Sequence, residues 1–444
     1  MRVGNTIGRR SAIIASVRAS SVGLRAVATV FLLWSWGCGA KRDQTTARYL
    51  CDRTFRRSAL VASLVNPDNA YSRARLARYA TGDDQDWDRA AVWNPRVVAV
   101  GSGDLGGRDL SAADPGQRLV VDPNQEWLPD DATLRQLGEL AFFNYPVQLA
   151  PAFALNNEVL ARYGLWVDAR RGVGGLVFAE MADGTRRIEF TCATCHADRF
   201  GGELLVGVPN GHVDIGKMYS DAGERVGASP AASAGYRAWG PGRVDVTTAD
   251  GRVPERMADL RPIRWASHLH YDATLRQQGV VSLAIRIETL IITSKNGALR
   301  PPRIIALALA VYLWSLADTL PPMPPAATAG SRLFDEHCAD CHAGPDLGGG
   351  PVSLAVVGTD PVLGRSPERG TGAYRAAALR GVAARATLLH DGTLADVSSL
   401  LDPGRLDASY LDGARGPGPV RGHPYGLKLD ESERRALVAY LRLL

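Results

Sequence analysis

The sequence predicts a mainly α-helical protein built as two tandem domains behind an N-terminal extension, and three observations carry that expectation. Cys192-Ala193-Thr194-Cys195-His196 and Cys338-Ala339-Asp340-Cys341-His342 repeat one pattern, each followed by Ala and then by a glycine cluster, Gly201-Gly202 and Gly348 to Gly350. The stretches flanking the two copies space their apolar residues at helical intervals. Between them Leu320-Pro321-Pro322-Met323-Pro324-Pro325 cannot extend a helix and favours stiff, extended backbone, which marks a linker. The expected organisation is therefore an export signal over 1–37, an extension of unknown role over 38–129, a first domain over 130–320, a linker over 321–329 and a second domain over 330–444.

With 46% apolar and 22% charged residues over 444 positions, the composition is globular and the length suffices for two or three cored domains. The formal charge of +5 sits at the start, where Arg2, Arg9, Arg10, Arg18 and Arg25 meet no acid before residue 37. Without those arginines, basic and acidic residues balance at 46 each, which removes the electrostatic case for a nucleic-acid partner. The apolar run Ala26 to Gly37 is shorter than the roughly 20 residues a bilayer-spanning helix needs and reads as part of a cleaved export signal. It ends at Gly37-Cys38-Gly39, similar to a lipoprotein cleavage box but with Ser35 in place of the usual Leu, so a lipid anchor through Cys38 stands beside simple cleavage.

Residues 39–125 are rich in Arg, Asp and Trp and hold no ligand-like cluster. Asp130 and Asp131 can cap a helix that puts Leu134, Leu137, Leu140 and Ala141 on one face, opening the first domain. A second helix, Arg303 to Leu316, comes after Pro301-Pro302 and is apolar enough to be buried but too short to span a membrane. The last helix begins near Asp430, which can cap it while Glu433 returns the bond, with Leu437, Leu441 and Leu444 on one face.

Each Cys-x-x-Cys-His supplies two thiols spaced to add across the two vinyl groups of one porphyrin, and the adjacent histidine reaches the iron from one face. Two covalently bound haem c groups are the expected cofactors, held by Cys192, Cys195, Cys338 and Cys341, with His196 and His342 on the irons; a calcium ion is admitted as a further cofactor. A four-cysteine zinc site would also use two such pairs, yet it leaves the histidine after each of them unexplained. The two domains are thus expected to be cytochrome-c-like.

The sixth position on each iron decides between electron storage and chemistry, because an open face binds peroxide or oxygen. No methionine lies beyond Cys338, so His/Met ligation from within the second domain is excluded. His390, in Leu388-Leu389-His390-Asp391-Gly392, is the preferred sixth ligand there, with His423 as the other downstream histidine. For the first haem His212 and an open site stand side by side, with Met218, Met257, His268 and His270 behind them.

Two haem motifs, a leader, a Leu-Gly-x-x-x-Phe-Phe stretch at Leu137 to Phe143 and the His390-Asp391-Gly392 element together resemble the bacterial di-haem cytochrome c peroxidase superfamily, which includes amine-dehydrogenase-maturing enzymes and rubber oxygenases. The resemblance covers about residues 130 to 444. It implies that His212 is a removable distal ligand, that Tyr271 in Leu269-His270-Tyr271-Asp272-Ala273 stands where peroxidases carry a tryptophan between the haems, and that Glu288 assists O–O cleavage. The residue-level alternative for Glu288 is a helix-face carboxylate near Arg286 or Lys295. The family's methionine ligand after His390 is absent, which favours bis-histidine ligation as in the rubber oxygenases.

The implied activity is a peroxidase-like oxidoreductase in which the second haem passes electrons to the first, with hydrogen peroxide or a small oxidisable molecule as substrate. A small electron-donor protein or a quinol-linked donor would supply electrons, in the periplasm. A non-catalytic electron-transfer cytochrome and a rubber-oxygenase-like oxygenase are the alternatives.

Overall fold

The computed structural model describes residues 44–80, 86–104, 116–151, 156–181, 183–225, 227, 229–245, 253–326 and 328–444; the expected export signal and Cys38 lie outside them. Helix makes up 42% of it, and the first half is less helical than expected. Strands β1 (Val97–Ala99), β2 (Gln148–Leu149), β3 (Leu176–Glu180) and β4 (Arg186–Phe190) form an antiparallel sheet in the order β1-β3-β4-β2. These strands are only two to five residues long, too short for a period of two to stand out against their surroundings. Strand β3 is almost continuously buried, which erases the alternation that would have revealed it.

The stretch before residue 130 is woven into the first unit. Helices α1 (Gln44–Cys51) and α2 (Arg53–Ser63) share one apolar cluster with the first unit's own helices, Leu64 bridges to Leu275, and β1 contributes an edge to the sheet. Most of that cluster is built by helices α3 (Asp131–Asn144), α5 (Val280–Ser294) and α6 (Arg303–Ser315), with α4 (Cys192–His196) carrying the first motif. The expected cap on α3 is present, Asp130 accepting from the Thr133 N–H at 2.8 Å. No helix among the described residues is long and apolar enough to cross a membrane.

The second unit pairs helix α7 (Ala329–His337) with helix α8 (Glu431–Leu441). Both carry reciprocal caps: Thr328 with Ser331, and Asp430 with Glu433 as the sequence predicts.

One crossing recurs in the two halves. Where α3 meets α6, a Cβ on Gly138 would collide with the Ala308 carbonyl and Tyr312 Cβ, and Phe142 meets Tyr312 edge-on at 5.6 Å. Where α7 meets α8, a Cβ on Gly330 would collide with the Ala436 carbonyl and Tyr440 Cβ, and Phe334 meets Tyr440 at 5.6 Å. In each pair, glycine permits close backbone approach and the aromatic four residues later packs on the partner helix's tyrosine. The halves differ in how the crossing connects to its motif: Cys338 directly succeeds α7, whereas residues 145–191, holding β2, β3 and β4, separate α3 from Cys192.

Candidate haem sites

In the second unit the Cys338 N–H continues the helical bonding to the Phe334 carbonyl, and the His342 N–H bonds the Cys338 carbonyl at 2.9 Å. This turn presents Cys338, Cys341 and His342 to a cavity of about 330 Å³ whose wall is mostly apolar, including Val352, Leu388 and Leu401. The His342 Nδ1 lies 3.1 Å from the Leu347 carbonyl. A carbonyl only accepts, so Nδ1 carries the hydrogen and Nε2 keeps its lone pair for a metal. Burial lowers the imidazole's pKa, which holds it in the neutral, ligating form.

His423 lines the same cavity, its ring tilted at 57° to that of His342 with the centroids 6.3 Å apart. Two imidazoles bonded to one metal at about 2 Å each, from opposite sides, hold their centroids roughly 6 Å apart. The His423 Nδ1 is buried without a hydrogen-bond partner, its pKa is pushed down to about 4 by burial and by His342, and its backbone is held at φ 46°. The fully buried Arg405 imposes that conformation, donating to the carbonyls of Leu400, Val420, Gly422 and His423. His390, preferred from the sequence, lines the same cavity but stacks on Tyr374 at 4.2 Å and 22°. Distance along the chain from His342 misleads here, because Arg405 folds the segment after 403 back over the cavity.

The first motif occupies a single turn after β4. The Thr191 and Thr194 hydroxyls both donate to the Gly175 carbonyl, at 2.8 and 3.1 Å, and Gly175 at φ 64° is the only residue type that fits, since a Cβ would strike the Thr194 N–H and Ala193. Here too the histidine is oriented by a carbonyl, His196 Nδ1 lying 3.0 Å from Ala258 O. Burial pushes His196 down to about 4 and the thiols of Cys192 and Cys195 up to about 12. Burial likewise pushes Cys338 up to about 11. Among the described residues no group of three or more His, Cys, Asp or Glu side chains is placed to hold a metal ion. In the second unit, paired thiols, a neutral Nε2 and an apolar wall fit a covalently attached haem.

Other predicted residues land in different settings. Met218 and Met257 are buried in the apolar cluster against Cys195. His212 turns outward, with 67% of its side chain exposed and its Nδ1 2.8 Å from Asp198. His270 accepts from Arg286 Nε at 3.0 Å, and His268 meets the Ser267 hydroxyl. Glu288 is fully buried, accepting from the Tyr49 hydroxyl at 2.7 Å and ion-paired with Arg303 at 3.3 Å; it is not in the wall of the second-motif cavity. Tyr271 is in that wall, beneath the Arg256 guanidinium. Four successive residues run between the two sites: Arg256 reaches the cavity, Met257 belongs to the apolar cluster on which Cys195 packs, the Ala258 carbonyl holds His196, and Asp259 pairs with Arg261 and Arg385.

The segment 327–444 matches the family model for Cytochrome c. This part of the chain is a cytochrome c domain. Such a domain carries covalently bound haem c and serves haem-based electron transfer. No curated protein matches the chain.

Proposed function

We propose that the protein is an exported di-haem c-type cytochrome of the di-haem peroxidase superfamily that relays electrons between a haem on His196 and a haem on His342. The observation that carries the second haem is the repeated crossing, Gly138 and Phe142 against Tyr312 in one half and Gly330 and Phe334 against Tyr440 in the other. The matching carbonyl bonds to His196 and His342 support it, and the 256–259 segment is a short through-protein route between the two sites. In the cytochrome c domain Cys338 and Cys341 would hold the porphyrin, with His342 and His423 as axial ligands; the iron supplies one-electron chemistry. With both His342 and His423 to hold it, that iron would favour electron transfer over substrate binding. Peroxide reduction would then fall to the first haem, but Glu288 is engaged by Tyr49 and Arg303, and His212 faces solvent. Electron transfer is therefore the preferred reading, in the periplasm, with a small donor protein or a quinol-linked donor as partner and Cys38 as a lipid anchor.

Electron paramagnetic resonance of the oxidised protein tests the ligand set. His423→Ala should convert one low-spin haem to high spin while His390→Ala leaves it low-spin; the reverse result overturns the assignment. Rapid peroxide turnover or carbon monoxide binding by the unmodified protein would overturn the pure electron-transfer reading.

A further inference from the structure

The cavity around His342 is mostly apolar, with Glu336, His337 and Asp340 in its wall beside the motif, and three arginines also line it: Arg256 and Arg385, both buried, and the half-buried Arg375. Arg385 is already engaged, its Nε donating to Asp259 at 3.1 Å and its Nη atoms to the carbonyls of Ala378 and Arg380. Arg256 and Arg375 keep donors to spare. Arg256 is 5% exposed, and although its Nε donates to the Leu389 carbonyl at 3.0 Å, its Nη1 is buried with no acceptor. Arg375 Nε is likewise buried with none. A charged donor left unsatisfied inside a protein forfeits its hydration without compensation, so two at one cavity wall point to an anionic acceptor that belongs in the cavity.

The nearby acids do not supply it. Glu255 is taken by Arg369, Asp259 by Arg261 and Arg385, and the Asp346 carboxyl accepts from the Gly348 N–H while burial raises its pKa. Tyr271, under Arg256, has its phenol pKa raised by burial and stays neutral. The missing acceptor must carry carboxylate-like charge at one edge of a flat apolar body, because most of the remaining wall is aliphatic or aromatic and its two acids, Glu336 and Asp340, are exposed.

We propose that Arg256 and Arg375 bind the propionate carboxylates of the haem carried on Cys338 and Cys341, so that a residue of the first unit closes the haem site of the second. Arg375 belongs to the cytochrome c domain, but Arg256 precedes the proline-rich linker and is tied to the second unit by its N–H bond to the His390 carbonyl at 2.9 Å. The haem thereby becomes part of the contact between the units. Its reduced form carries one more negative charge than its oxidised form, so each arginine stabilises reduction and raises the midpoint potential.

This inference rests on the haem reading proposed for Cys338, Cys341 and His342, and one experiment separates the two. Spectroelectrochemical titration of the full-length protein should show that Arg256→Gln lowers one midpoint enough to shift the reduced-to-oxidised ratio about tenfold, which is 59 mV for a one-electron couple. Arg256→Lys, which keeps the charge, should restore most of the shift. Arg375→Gln should lower the same midpoint and carries the test should Arg256→Gln fail to fold. An unchanged midpoint in the glutamine variants, with haem still bound, overturns the propionate assignment, as does a fall that lysine does not reverse. Absence of covalent haem from the wild-type peptide containing Cys338 and Cys341 overturns the haem reading itself, and this inference with it.

Discussion

The two motif regions share a frame and differ in what covers it. Each has a glycine-permitted helix crossing and a histidine oriented through Nδ1 by a backbone carbonyl. Around the second motif the chain leaves a cavity with three further histidines on its wall, His337, His390 and His423, whereas the first is wedged beside a sheet and an apolar cluster containing Met218 and Met257. The crossing and the carbonyl bond orient one histidine in each region, while elements remote in sequence decide which side chains stand around it.

The largest expected effect breaks the comparison outright. Replacing Cys338 and Cys341 by serine should abolish covalent haem in the second unit, and the same change at Cys192 and Cys195 should halve haem per chain. Pyridine haemochrome assay checks both; unaltered haem content in the Cys192/Cys195 variant would mean that the two regions are not equivalent.

Next comes Glu288→Leu, which strands the Tyr49 hydroxyl and removes one of Arg303's two carboxylates while Asp88 stays at 2.6 Å. A loss of about 2–3 kcal/mol in urea unfolding is expected, with an unchanged haem spectrum. A spectral change without that loss would return Glu288 to a site role.

Gly138→Ala and Gly330→Ala sharpen the comparison, since each forces a methyl into the same helix-helix contact. Both should cost about 1–3 kcal/mol, measured by chemical denaturation. A large effect at Gly330 beside none at Gly138 would show that the first crossing is a coincidence of packing.

The smallest effect is expected at His212→Ala. The hydrogen bond from solvent-facing His212 to Asp198, which keeps the Gly211 N–H as a donor, contributes about 0.5–1.5 kcal/mol, so the fold and the low-spin signal should both persist; a new high-spin signal would make His212 an iron ligand after all.

Much of the frame was legible because it depends on contacts within a few residues. Asp130 caps α3 and Asp430 with Glu433 caps α8 where the residue types predict them, and the buried, non-spanning helix at Arg303–Ser315 is where its apolar run lies. The sheet was not legible: its strands are short and β3 is buried on nearly all positions, so neither length nor alternation stood out. Nor was the place of the N-terminal stretch, whose Tyr49 meets Glu288 across more than two hundred residues of chain.

By itself the sequence determined the chemistry of attachment, since two thiols and a histidine on one turn need nothing from the rest of the chain to be spaced for a porphyrin. Only the tertiary structure decided which histidine lies near His342 and which arginines await an acceptor. His423 reaches the cavity because Arg405 gathers the carbonyls of Val420, Gly422 and His423, and Arg256 reaches it from the other unit. Such long-range convergence is set by how buried polar groups find their partners, which spacing along a chain does not encode.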